Sequence, residues 1–195
     1  MLNKSYIEED LLPSIGRSRN KYDNIPRADG MFLSWLVETT SRHRGLEIGS
    51  ANGYSAICIG LGLERQGGSL ITIEKNSAKA ALCRLNLQKA GLGKMAECIT
   101  GNALKVTPDL SGEFDFLFPD LSVDVLPYVQ VALQKMSPGY IIALHNLKFA
   151  RKYKKILNFV YENKLCVDKI STTGGYGFFI ISNGDVDIHF ACYNH

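Results

Sequence analysis

The chain has 195 residues, 46% of them hydrophobic and 21% charged, with a net charge of +3. That size and balance fit one globular domain, residues 1–195, with a sizeable core. No apolar run approaches the roughly 18 residues that cross a bilayer, so no membrane association is expected. The mild charge permits an anionic partner without announcing one. Cys58, Cys83, Cys98, Cys166 and Cys192 are dispersed, with no C-x-x-C pair. An odd, scattered set of this kind fits reduced thiols in the cytoplasm, not a disulfide frame or a zinc site. Residues 1–10 are polar and acidic and do not resemble a secretory signal.

Residues 1–43 read as a helical cap packed on the core of the domain. Its most hydrophobic part is 29–37, where Phe32 and Trp35 suit core packing better than a substrate cage. The first strand, 44–49, lies in Gly45-Leu46-Glu47-Ile48-Gly49-Ser50-Ala51-Asn52-Gly53-Tyr54-Ser55, a buried strand whose glycine-bearing loop opens a helix over 54–63. Glu47 is costly in an apolar strand unless it is paired. Gly49 and Gly53 let the backbone turn sharply and bring a ligand close to bare amides. Their spacing is not the G-x-G-x-x-G of a dinucleotide fingerprint, which disfavours NAD. A carboxylate just before such a loop suits a cationic ligand better than a pyrophosphate. S-adenosylmethionine, with its ammonium and sulfonium charges, meets that requirement.

Further strands are expected at 69–74, 95–100, 114–119, 140–145, 165–171 and 178–182, each a short apolar run bounded by Gly, Pro, Asn or Asp. Helical patterns occupy 77–90, with Ser77 placed to cap it, 123–134 and 148–163. This alternation predicts an α/β fold, a Rossmann-like doubly wound sheet of seven strands, mostly parallel and covered on both faces. The segment between the last two strands is too short for a parallel crossover, so one strand near the C-terminus runs antiparallel. Residues 44–182 form this core and 183–195 a tail, in which Asn183-Gly184 makes a hairpin turn before alternating Val186, Ile188 and Phe190. That pattern fits an added edge strand.

On these motifs the chain resembles the class I S-adenosylmethionine-dependent methyltransferases, and within them the catechol and caffeoyl-CoA O-methyltransferase family. Leu46-Glu47-Ile48-Gly49-Ser50 with Gly53-Tyr54-Ser55-Ala56 is similar to the first motif of that family. The resemblance implies that Glu47, Gly49, Ser50, Gly53 and Ser55 hold the amino-acid half of S-adenosylmethionine. Amides at the helix start suit its carboxylate. Leu70-Ile71-Thr72-Ile73-Glu74 looks like the second motif, in which Glu74 accepts from the ribose hydroxyls. Gly101-Asn102-Ala103 resembles the turn beside the adenine, with Asn102 offering an amide to the base edge and Ala103 leaving room for the ring. Phe114-Asp115-Phe116-Leu117-Phe118-Pro119-Asp120 resembles the fourth motif. Asp120 then sits at the switch point, contributing to the cofactor site, and Asp115 faces solvent at the strand's start.

The catalytic half departs from the family. Metal-dependent members hold a divalent cation with an Asp after strand four and an Asp-Asn pair after strand five; here the equivalents are Asp120, His145 and Asn146. Losing a carboxylate for an imidazole makes a poorer Mg²⁺ site, leaving metal dependence open towards Mn²⁺, Fe²⁺ or Zn²⁺. Val123 stands where the family carries a lysine base, with Asp124 next to it. His145 then has two readings: a general base, with Asp120 as its alternative or partner, or a packed strand-end histidine. The expected activity is O-methylation of a small hydroxylated acceptor. One alternative is a cofactor-binding protein with lost or altered methyl transfer. Another is a tRNA or RNA methyltransferase using Lys148, Arg151, Lys152, Lys154 and Lys155, a run that also fits a solvated helix face and is supported by no RNA-binding motif. Relatives often form homodimers, which leaves that state open here.

Overall fold

A computed structural model describes residues 7–16, 22–146 and 154–184. Seven strands form one sheet: β1 (Arg44–Ile48), β2 (Ser69–Glu74), β3 (Ala96–Thr100), β4 (Phe114–Pro119), β5 (Met136–His145), β6 (Cys166–Ile170) and β7 (Phe178–Ser182), in the order β3-β2-β1-β4-β5-β7-β6. Strands β1 to β5 pair in parallel, and β7 runs antiparallel to both β5 and β6. The reversed strand is therefore where the short connection requires it. The order changes direction between β1 and β4, so the loops after these two strands diverge and leave a crevice at the carboxyl edge.

The described helices are α1 (Leu12–Gly16, preceded by a π-helical turn), α2 (Arg27–Thr39), α3 (Tyr54–Glu64), α4 (Ser77–Lys89), α5 (Ala103–Val106), α6 (Leu126–Leu133) and α7 (Lys154–Glu162). Two apolar layers cover the sheet. On one side Leu33, Leu36, Ile57 and Leu63 pack with Phe116, Phe118, Ile141 and Phe178. On the other, Val129, Ile156 and Val160 pack with Leu46, Ile48, Leu117 and Leu144. Alternation along β4, with Phe116 and Phe118 to one side and Leu117 to the other, is the period-2 signature of a strand buried on both faces. Each such large side chain contributes roughly 1.5–3 kcal/mol by leaving water. Phe32 joins this core, with its ring 4.9 Å from Phe178 and 5.7 Å from Trp35, so the packing reading of both residues holds.

Several details differ from the sequence reading for local reasons. Helix α4 is capped by Asn76, whose side chain accepts from Lys79 N at 3.0 Å; Ser77 is already helical. Helix α6 begins at Leu126, three residues later than expected, where Asp124 Oδ1 accepts from Leu126 N. Strand β5 reaches back to Met136 through a register irregularity against β4. Asp115 does not simply face solvent: its two oxygens accept from His43 N and Arg44 N, both at 2.8 Å, and fix the start of β1. Lys155 pairs with Asp124 at 2.7 Å, while Lys148, Arg151 and Lys152 lie outside the described residues, as do Val186, Ile188 and Phe190. No helix among the described residues is long and apolar enough to cross a membrane.

Candidate active site

The loops at the carboxyl edge enclose a cleft of about 900 Å³, within the range of small-molecule and cofactor sites. Gly49, Ser50, Ser55, Glu74, Asn102, Ala103, Asp120 and His145 line it, with Asn146 and Tyr176 beside them. The sequence-selected residues thus converge from five separate loops. Glu47 and Gly53 are not in the lining.

The β1 loop is shaped by backbone geometry. Gly49 has φ +97°, and a Cβ there would lie 2.5 Å from the carbonyl oxygen of Asp120. Gly49 N donates to Ile73 O at 2.8 Å, and Asp120 N to Ile48 O at 3.0 Å, so the loop is bound to both neighbouring strands. Gly53, at φ +88°, is turned towards α4, where its missing Cβ makes room for Cys83. That left-handed conformation admits the turn into α3. Glu74 ties the same loop down: Oε2 accepts from Ala51 N at 3.0 Å and Oε1 from Asn76 N at 2.8 Å. Each carboxylate oxygen keeps a second lone pair, and Glu74 is among the residues lining the cleft. Asn102 Oδ1 accepts from Leu104 N at 3.0 Å, which caps α5 and leaves the amide NH₂ for a ligand.

Glu47 is fully buried on β1. Thr72 Oγ1 donates to its Oε2 at 2.6 Å, whereas Oε1 has no partner within hydrogen-bond geometry among the described residues. Burial pushes its carboxyl up to about 8, against hydrogen bonds from Ser55 and Thr72. Burial thus favours the protonated form of Glu47 in this state, and the carboxyl groups that line the cleft are those of Glu74 and Asp120. Because the folded value lies above the ordinary 4.5, the stability that Glu47 lends by holding its proton declines as pH rises from about 4.5 to about 8. Glu47→Gln keeps the Thr72 bond without an ionisable proton. It is expected to be more stable than the parent at pH 9 by on the order of a few kcal/mol, and much less so at pH 5. Urea unfolding at the two pH values measures this; an equal difference at both would refute it.

The second half of the cleft centres on a buried trio. His145 ends β5, 2% exposed, and its Nε2 lies 2.8 Å from Asp29 Oδ2 on α2. Its Nδ1 lies 3.7 Å from Oδ2 of Asp120, the trio's most exposed member at 20%. Asp29 is fully buried and also accepts from Thr172 Oγ1 and, at 2.8 Å, from Tyr176 N. The rings of Phe178 and Tyr176 close round the imidazole at 5.2 and 5.8 Å. Burial pulls the His145 pKa down, but Asp120 and Asp29 outweigh it and hold it above the ordinary 6.5. Burial likewise raises Asp29, but its bonds to His145, Thr172 and Tyr176 outweigh that and hold it below the usual carboxylate range. Both partners shift towards the ion pair.

This arrangement does not fit Mg²⁺. Among the described residues no group of three or more His, Cys, Asp or Glu is placed to hold a metal ion. The donors at the expected place are one carboxylate, one amide and an imidazole whose far nitrogen is already bound to Asp29, where Mg²⁺ favours an octahedral oxygen set. Asp29 is the residue that sequence reasoning missed. A signal was present: a carboxylate in the most apolar stretch of the cap carries the same burial cost that singled out Glu47.

The chain is 34% identical over 125 residues to the catechol O-methyltransferase of Mycobacterium tuberculosis, covering 63% of this chain and 56% of that protein. It is 33% identical over 143 residues to that of Niastella koreensis, covering 70% of this chain and 60% of that protein. It therefore spans a little over half the length of these curated relatives. The crystal structure of an O-methyltransferase from Bacillus cereus in complex with S-adenosylhomocysteine shares the fold, with a TM-score of 0.77 at 23% identity over 93% of this chain and 91% of that one. The O-methyltransferase family profile matches residues 4–157, most of the chain. With a sheet, a glycine loop and a strand-edge cleft of that form, this chain belongs to the O-methyltransferase family.

Proposed function

We propose that this protein transfers the methyl group of S-adenosylmethionine to a hydroxyl of a small acceptor. The observation that carries this reading is the junction, in one cleft, of the β1 loop (Gly49, Ser50), the start of α3 (Ser55) and the end of β2 (Glu74) with the Asp120–His145 pair. Relatives named as catechol O-methyltransferases and a fold neighbour holding S-adenosylhomocysteine support it. The residues fit the cofactor. Amides of the β1 loop and the start of α3 suit its carboxylate, Asp120 its ammonium, the second lone pairs of Glu74 its ribose, and Asn102 with Ala103 its adenine. When bound, the cofactor supplies a methyl group on a positively charged sulfur.

The protein's own part is alignment and proton handling. Holding acceptor and donor in near-attack geometry removes much of the entropic barrier. Asp120 faces the cleft and takes the hydrogen bond of the acceptor hydroxyl. His145 stands behind it: the proton leaves the hydroxyl for Asp120 and passes on to Nδ1 of the neutral imidazole, 3.7 Å from Asp120 Oδ2, where two carboxylates stabilise the charge that appears. Calorimetry tests the cofactor assignment. S-adenosylhomocysteine should bind, and Glu74→Ala should weaken it by about 1–3 kcal/mol, the range for hydrogen bonds to a charged group. Binding of NAD with no response to S-adenosylhomocysteine would overturn the assignment.

A further inference from the structure

We propose that Asp29 is a positioning residue that fixes the ring tautomer of His145, so that Nδ1, on the Asp120 side, is the nitrogen left to accept a proton. The inference rests on the reading of His145 as the proton acceptor. Its basis is geometric. Asp29 Oδ2 lies 2.8 Å from His145 Nε2 and 2.8 Å from Tyr176 N, while Oδ1 takes the Thr172 hydroxyl. Every partner donates to an ionised carboxylate, so Nε2 carries its hydrogen towards Asp29 and the neutral ring keeps its lone pair at Nδ1.

Three chain segments converge to make the lock: Asp29 from α2, His145 from β5, and Thr172 to Tyr176 from the loop between β6 and β7. That loop passes so close that a Cβ at Gly175 would collide with the Asp29 carboxylate. Among the described residues, the charged and titratable groups facing the imidazole are Asp29 from α2, Asp120 from the end of β4 and Tyr176 from the loop, with Phe118 and Phe178 as apolar walls. Nothing in this arrangement needs a metal ion to orient the ring. The helical cap, which the sequence offers as a cover for the sheet, thereby contributes a member of the active centre.

Imidazole ¹⁵N NMR of the wild-type protein, at a pH where His145 is neutral, reads the tautomer directly. The expected spectrum shows a protonated Nε2 and a pyridine-type Nδ1; a protonated Nδ1 overturns the inference without any variant having to fold. With catechol as the acceptor probe, Asp29→Ala should lower kcat roughly tenfold or more, within the ~10²–10⁴-fold contribution of a general base, with KM for S-adenosylmethionine little changed. Asp29→Asn should restore the tautomer and raise kcat well above that of Asp29→Ala, short of the parent because one of the two charges beside the imidazole is gone. Its amide oxygen can accept from Nε2 and Tyr176 N while its NH₂ donates to Thr172. An Asp29→Ala enzyme with unaltered kcat, beside a slow His145→Ala enzyme, sinks the role of Asp29 alone. A His145→Ala enzyme at full rate instead sinks the reading on which it rests.

Discussion

Replacing His145 with alanine is expected to lower the rate of methyl transfer by about 10²–10⁴-fold, the usual share of general-base catalysis. Affinity for S-adenosylhomocysteine should change little, because Gly49, Ser50 and Glu74 are untouched. The direction of the pH dependence is set by the two carboxylates. They hold the imidazole pKa above 6.5, so the basic form is lost, and the rate falls, as pH drops through a midpoint higher than that of a free histidine. Stability moves the other way. A histidine whose folded pKa is raised contributes fully below its unfolded value, and that contribution disappears as pH rises through the folded one. The protein should therefore work fastest where this ion pair stabilises it least. Parallel rate and unfolding profiles measure both trends. A rate unaffected by the substitution would leave His145 as a packed residue and the chemistry to alignment.

Gly49→Ala is expected to reduce affinity for S-adenosylhomocysteine at least tenfold and to lower thermal stability as well. A φ of +97° costs a residue with a side chain about 1–3 kcal/mol. The new Cβ would also press on the Asp120 carbonyl at 2.5 Å, which is backbone and cannot swing away. Relief requires the loop after β1 and the end of β4 to part, and these two segments carry Ser50 and Asp120. Calorimetry with S-adenosylhomocysteine checks this; affinity within twofold of the parent would show that the loop has slack the structure does not suggest.

The strands and the glycine loop were legible in the sequence because both are local. Short apolar runs with flanking breakers give the strands to within a residue at either end, except β5, which starts four residues earlier than expected, and a turn that needs positive φ shows itself as glycine. Local reasoning also places Glu74 and Asp120, since each closes a strand at the sheet edge. It fails where a partner lies far along the chain. The Asp29–His145 contact joins residues 116 positions apart, and neither neighbourhood announces the other. Glu47 shows a second limit. The burial cost was read correctly, but whether the carboxyl meets it by pairing with a ligand or by keeping its proton depends on Thr72 of the neighbouring strand and Ser55 of α3. Asp115 and Asn76 were visible as polar residues at element ends, while their tasks depend on which backbone amides the fold brings within reach.

The central claim is that this cleft joins a methyl donor to an acceptor hydroxyl with a carboxylate–histidine pair in place of a Mg²⁺ site. Mass spectrometry of the products formed from S-adenosylmethionine and catechol, with a chelator and then with added Mg²⁺, tests it most directly. The account predicts a monomethylated product and S-adenosylhomocysteine in equal amounts, at a rate that the chelator does not abolish. Product that forms only when Mg²⁺ is supplied would contradict it.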